Sequence, residues 1–144
     1  AQIIEKFVVA KQAGDVHSNM WAQRVMAEFL EKYDMEKHLE ALQDIYRHKC
    51  TLMLDEMKKN FHPSLKYTIP TGGMFIWVTL PDNIDMKEFV QEALKQNVAV
   101  VPGNAFLVDD SQPCQCFRMN FSTPRDEQIV EGVSILGKLS YSMQ

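Results

Sequence analysis

Residues 116–122 read Cys-Phe-Arg-Met-Asn-Phe-Ser, an alternation with a period of two. Successive side chains on a strand point to opposite faces. Phe117, Met119 and Phe121 therefore share one face, and Cys116, Arg118, Asn120 and Ser122 share the other. The first face demands a core. The second carries a guanidinium, an amide and a hydroxyl side by side. A chain that contains this strand is expected to build a sheet covered by helices on one face, because only the apolar face needs burial. Arg118 is the candidate functional residue on that strand. Its planar fork of donors matches a carboxylate in a bidentate manner. An ion pair with another element, or a solvated strand face, accounts for the same residue on pattern alone.

The elements before this strand follow from periodicity and punctuation. Ile3, Ile4, Phe7 and Val8 fall on one side of a short helix that Gly14 breaks. A second helix is expected from Ser18 or Asn19, with Trp21, Val25, Phe29 and Leu30 buried. Asp34 caps a long third helix whose apolar stripe is Leu39, Leu42, Tyr46, Met53 and Met57, and Pro63 closes it. The period then changes. Strands are expected at 66–70 and 74–79, joined by a Gly-Gly turn, and a buried strand at 98–101. Between them, Asp85 and Glu88 read as the capping box of a helix. After the strand at 117–122, Thr123 reads as the N-cap of a final helix with Pro124 in its first position and Ile129, Val130, Val133 and Leu136 buried.

From residue 34 onward the expected order is α-β-β-α-β-β-α. This is an α+β fold: a small, largely antiparallel sheet with the helices from 34, 85 and 124 packed on one face. Residues 1–33 carry helices without a sheet and are expected to trail a missing larger domain, with residues 34–144 forming the small domain.

Composition narrows the function. With 46% hydrophobic residues in 144, the chain supports a core. A net charge of −4 without a basic stripe argues against nucleic-acid binding. The longest apolar runs, such as Met-Phe-Ile-Trp-Val, are of strand length and do not span a membrane. Three cysteines do not make a disulfide framework, so a reducing, cytoplasmic setting is expected. Cys114 and Cys116 lack a second pair and a nearby His, so no metal site is expected. His38 and His48 read as surface, and Trp21 and Trp77 as core. Thr71-Gly72-Gly73 has no helix behind it and reads as a turn, not a phosphate loop.

Three ordered motifs, Pro-Thr-Gly-Gly-Met-Phe-Ile-Trp-Val-Thr-Leu-Pro (70–81), Val-Ala-Val-Val-Pro-Gly-Asn-Ala-Phe (98–106) and Phe-Arg-Met-Asn-Phe-Ser (117–122), resemble the C-terminal third of fold-type I pyridoxal-phosphate aminotransferases. The similar branch contains 2-aminoadipate, kynurenine and broad-range amino-acid aminotransferases. The likeness covers the whole chain; residues 3–23 resemble the helices that follow the cofactor lysine. It implies that Arg118 binds the substrate α-carboxylate. It places Phe106, Asn120 and the Asn19 region in the vicinity of the active site. The substrates would be an amino acid and a 2-oxo acid, and the intact enzyme a homodimer. The cofactor would be pyridoxal 5'-phosphate, held through a lysine upstream of this chain; no residue here is assigned to the cofactor. Some winged-helix transcription regulators carry a similar domain that senses a ligand, which is the alternative.

Overall fold

The computed structural model describes residues 2–109 and 111–144. The chain divides into two compact units, residues 1–41 and 42–144.

The first unit holds α1 (Gln2–Gly14), α2 (Met20–Lys32) and the first turns of α3 (Met35–Asn60). The capping residues act as expected. Asn19 Oδ1 accepts from the Ala22 amide at 3.0 Å, and Asp34 Oδ1 from the Lys37 amide at 3.2 Å. The expected burial of α2 is not found. Trp21, Val25 and Leu30 are 76%, 50% and 55% exposed, and Phe29 alone of the four is half-buried. Phe29 stacks on Tyr33 with ring centroids 5.2 Å apart. Short helices without a second layer have nothing to bury an apolar stripe against, and a unit of this size is too small to make a core of its own.

The second unit contains the sheet. Its strands are β1 (Lys66–Tyr67), β2 (Phe75–Thr79), β3 (Val101–Pro102) and β4 (Cys116–Asn120), in the order β1-β2-β4-β3 and antiparallel throughout. The element order read from the sequence is the one observed. The β1–β2 connection passes through Gly73, whose φ of 81° lies where side chains are strained. The register sets Ile76 against Met119 and Val78 against Phe117. All four are buried. Three helices cover that face: α3 through Met53 and Met57, α4 (Met86–Lys95) through Phe89 and Ala93, and α5 (Asp126–Ser142) through Ile129, Val133 and Leu136. Phe89 stacks on Phe117 at 5.4 Å, which ties α4 to the middle of β4. Each fully buried phenylalanine contributes about 1.5–3 kcal/mol.

Three expected details change, each for a local reason. The strand expected at 98–101 is reduced to Val101–Pro102, because Asn97 and Val98 still donate to Leu94 and Ala93 carbonyls and close α4. Val101 is also 36% exposed instead of buried. The last helix begins at Asp126 with Arg125 as its N-cap, not at Pro124 with Thr123, because the Asn120 side chain holds Ser122 and Thr123 in a turn. Gln128 Oε1 then accepts from the Arg125 amide at 2.9 Å. Val130 is 40% exposed, since the buried face of α5 runs through Ile129, Val133 and Leu136 at helical spacing. At α4, Asp85 Oδ1 accepts from the Glu88 amide at 2.9 Å as expected.

Two glycines of α5 make opposite predictions. A Cβ on Gly137 would lie 2.5 Å from the Asn60 carbonyl oxygen, a backbone atom that cannot swing away. A Cβ on Gly132 would meet only Val98 Cγ1 at 3.9 Å. Gly137→Ala is expected to destabilise by about 1–3 kcal/mol. Gly132→Ala is expected to be neutral or to stabilise by up to about 1 kcal/mol through helix propensity. Urea midpoints of the two variants check this; a Gly137→Ala midpoint at or above that of wild type contradicts the packing.

Candidate functional site

Arg118 stands in the centre of the sheet. It lies on β4 with Trp77 of β2 on one side and Val101 of β3 on the other, in direct register. Directly opposed residues share a face. Phe75, Trp77, Thr79, Cys116, Arg118 and Asn120 therefore form the face turned away from the helices. The alternation read in β4 is observed: Phe117 and Met119 are buried, whereas Arg118 and Asn120 are half-buried.

The guanidinium is held by rings. Its central carbon lies 3.9 Å from the Phe75 ring centroid and 4.7 Å from that of Phe106. Trp77 meets Phe106 edge-on at 5.5 Å and 68°. Among the described residues, no Asp or Glu pairs with Arg118, and its side chain donates no hydrogen bond. A structural ion pair is thus absent from the described residues. The fork of donors remains available to an acceptor from outside.

Phe106 ends the 3-10 turn Gly103–Phe106, which follows β3 directly. This turn sits so close to β4 that a Cβ on Gly103 would lie 2.6 Å from the Cys116 carbonyl oxygen and 2.6 Å from Cys114 Sγ. Only glycine allows that approach, and it is the approach that brings Phe106 over Arg118.

Asn120 plays two parts. Its Oδ1 accepts from the Ser122 amide at 2.8 Å, the Ser122 hydroxyl at 2.9 Å and the Thr123 amide at 3.2 Å. The oxygen is fully used in the turn that ends β4, so only the amide nitrogen is left for a ligand. Asn19 lies in the first unit, where its oxygen caps α2. The structure thus brings Arg118, Phe106 and Asn120 onto one surface.

Two members of that surface escaped the sequence reading. Trp77, read as core, is half-buried on the Arg118 face, and Phe75 was not singled out. Trp21, also read as core, is exposed. The alternation of Ile76 and Val78 within β2 was the available signal, since it sends Phe75 and Trp77 to the other side.

A separate cleft of about 560 Å³ lies beside α3 and the 70–73 loop, lined among others by Tyr46, Arg47, Cys50 and Leu54. It holds no matching constellation. Arg47 is paired with Asp44 at 2.5 Å, and burial pushes the Cys50 thiol up, away from the reactive thiolate. Among the described residues no cluster of His, Cys, Asp or Glu is suited to a metal ion. No described helix is long and apolar enough to cross a membrane.

A four-stranded antiparallel sheet with helices on one face is an α+β fold that matches solved aminotransferase structures. The LysN alpha-aminoadipate aminotransferase of Thermus thermophilus, solved in complex with N-(5'-phosphopyridoxyl)-L-leucine, is similar to this chain with a TM-score of 0.89 and 32% identity, over 99% of this chain and 36% of that one. The 2-aminoadipate transaminase of Thermus thermophilus is 34% identical over 95% of this chain and 34% of its own length. The HTH-type transcriptional regulator NorG of Staphylococcus aureus is 26% identical over 89% of this chain and 28% of its own. The family profile "Aminotransferase class I and II" matches residues 8–136. The chain belongs to that family, and it spans about a third of the length of the curated relatives it matches.

The Asn120 turn gives a stability prediction. Asn120→Ala removes one acceptor that serves three donors and is expected to cost about 1–3 kcal/mol. Asn120→Asp keeps the acceptor and is expected to cost less. Thermal melts of both variants check the order; equal losses would show that the turn does not depend on this oxygen.

Proposed function

We propose that this chain is the domain that holds the substrate carboxylate in an aminotransferase, an enzyme moving an amino group between an amino acid and a 2-oxo acid. The observation that carries the reading is Arg118 itself. It is fixed on a central strand, contacted by two rings and without a carboxylate partner among the described residues. The family to which the chain belongs supports the reaction class. The names of the relatives support an amino acid and a 2-oxo acid as substrates.

The chemistry asked of this domain is positioning. An amino acid presents a carboxylate and an amine on one carbon. Two parallel bonds from Arg118 to the carboxylate fix the orientation of that carbon while the amine reacts. The Asn120 amide, on the same face two residues along, offers a further donor to the same ligand. Phe75 and Phe106 keep water from the back of the guanidinium and so strengthen its attraction to the carboxylate.

The family's cofactor, pyridoxal phosphate, supplies the electron sink for amino-group chemistry when bound. The residues present here do not fit as its anchor. The lysine that the register places on the Arg118 face, Lys66, lies on the edge strand β1 opposite Thr79, with β2 between it and β4. Lys59 and Lys95 are shifted up by Glu56 and Glu92, the opposite of what a lysine nucleophile needs. We therefore assign the cofactor lysine to a part of the protein outside this chain, and no step is derived through the cofactor. A cytoplasmic homodimer is the proposed state of the intact enzyme. The similarity to NorG favours a second reading, in which the same clamp senses a ligand without turnover. A winged-helix sequence in the full reading frame, together with no transamination, would select it.

Two measurements test the proposal. In the full-length enzyme, Arg118→Lys keeps the charge and loses the fork, so kcat/KM for amino acids should fall about one to two decades, the equivalent of roughly 1.5–3 kcal/mol. Arg118→Ala should fall further, and both variants should melt close to wild type because the side chain faces away from the core. Full activity in a folded Arg118→Ala enzyme places the clamp on another residue. Separately, the 144-residue chain mixed with pyridoxal phosphate, an amino acid and 2-oxoglutarate should produce no transamination. Turnover by the chain alone would place the cofactor lysine within it.

A further inference from the structure

An arginine that must receive a ligand carboxylate has to be held still without being neutralised. A protein carboxylate would hold it, but would occupy the same N–H fork that the ligand needs. An aromatic ring attracts a cation through its π face and supplies no full negative charge. It therefore orients the guanidinium and leaves its charge uncompensated.

The surroundings of Arg118 follow this logic. Phe75 comes from β2 and Phe106 from the 3-10 turn, and both rings meet the guanidinium carbon at contact distance, 3.9 and 4.7 Å. Neither ring is spent on the core: Phe75 is 38% and Phe106 47% exposed. Phe106 is itself fixed from two sides. Trp77 packs its ring edge-on against it, and Gly103 seats the turn against the Cys116 carbonyl. The backbone of β4 is held on both edges by β2 and β3, so the base of the side chain is fixed as well.

We propose that Phe75 and Phe106 are the positioning residues of Arg118, bracing its guanidinium through their π faces so that its donors stay free and aimed for a ligand carboxylate. The inference rests on the reading of Arg118 as the carboxylate clamp and adds what makes that clamp ready before the ligand arrives. A long side chain that is already ordered loses less freedom on binding, which raises affinity without any new contact to the ligand. The rings act through Arg118. Their removal therefore weakens ligands that have a carboxylate and spares those that do not.

The test uses the full-length protein loaded with pyridoxal phosphate and two probes, 3-phenylpropionate and its neutral amide, 3-phenylpropionamide, with affinities read by calorimetry. Phe75→Leu and Phe106→Leu preserve apolar bulk, and both sites are partly exposed, so the fold tolerates them. Each is expected to weaken the acid by roughly three- to tenfold and to leave the amide unchanged. Phe75→Tyr and Phe106→Tyr keep a ring and should restore acid binding. In an Arg118→Ala background the leucine substitutions should no longer alter acid binding, since there is nothing left to brace. If the leucine variants bind the acid as wild type does while Arg118→Ala weakens it, the brace is wrong and the clamp stands. Equal loss for acid and amide would make the rings a simple apolar wall, again overturning the brace alone. If Arg118→Ala leaves the acid untouched, or wild type shows no preference for acid over amide, the clamp fails and the brace with it.

Discussion

The antiparallel pairing of β2 with β4 is the constraint on which the second unit depends. Its register opposes Ile76 to Met119 and Val78 to Phe117, and so turns four apolar side chains toward α3, α4 and α5. The same register sends Phe75, Trp77, Arg118 and Asn120 the other way. A slip of one residue would exchange the two faces, placing a guanidinium in the core and large apolar groups in solvent. That cost is far larger than any single contact on the open face. The core therefore fixes where the arginine points. The position of Arg118 on the open face is a by-product of burial on the opposite side of one strand.

Short backbone devices convert that placement into a site. Gly103 lets the 3-10 turn approach β4 closely enough to carry Phe106 to Arg118. Asn120 ends β4 by folding Ser122 and Thr123 around its side-chain oxygen, which also delays α5 to Asp126. Lys49 on α3 donates to the Pro124 carbonyl, and His48 pairs with Asp126 at 2.8 Å, so α3 is tied to the start of α5. These contacts hold the elements around the strand; none of them engages Arg118.

Much of this was legible in the residues. The element order, the caps at Asn19, Asp34 and Asp85, and the two faces of β4 follow from local rules, because alternation and capping are decided within a few residues. The role of Arg118 rested on a resemblance; pattern alone pointed rather to an ion pair or a solvated strand face. What was not legible depended on how a helix closes and on neighbours in other elements. The short β3 reflects the way α4 closes through Val98. The exposure of Trp21, Val25 and Leu30 reflects the lack of a second layer in the first unit. Trp77 and Phe75 lay inside an apolar run, Met-Phe-Ile-Trp-Val, whose composition suggests core throughout. Only its period of two, read together with the register against Arg118, shows that they lie on the Arg118 face.

The central claim is that Arg118 receives a carboxylate from outside the protein. A crystal structure of the full-length, cofactor-loaded protein with an amino-acid substrate analogue tests it most directly. The account predicts both carboxylate oxygens at about 2.7–2.9 Å from the Arg118 guanidinium nitrogens, on the sheet face away from the helices, with the Phe75 and Phe106 rings still against the guanidinium. A ligand carboxylate seated on a different cation, with Arg118 paired to an acidic side chain of the protein, would contradict it.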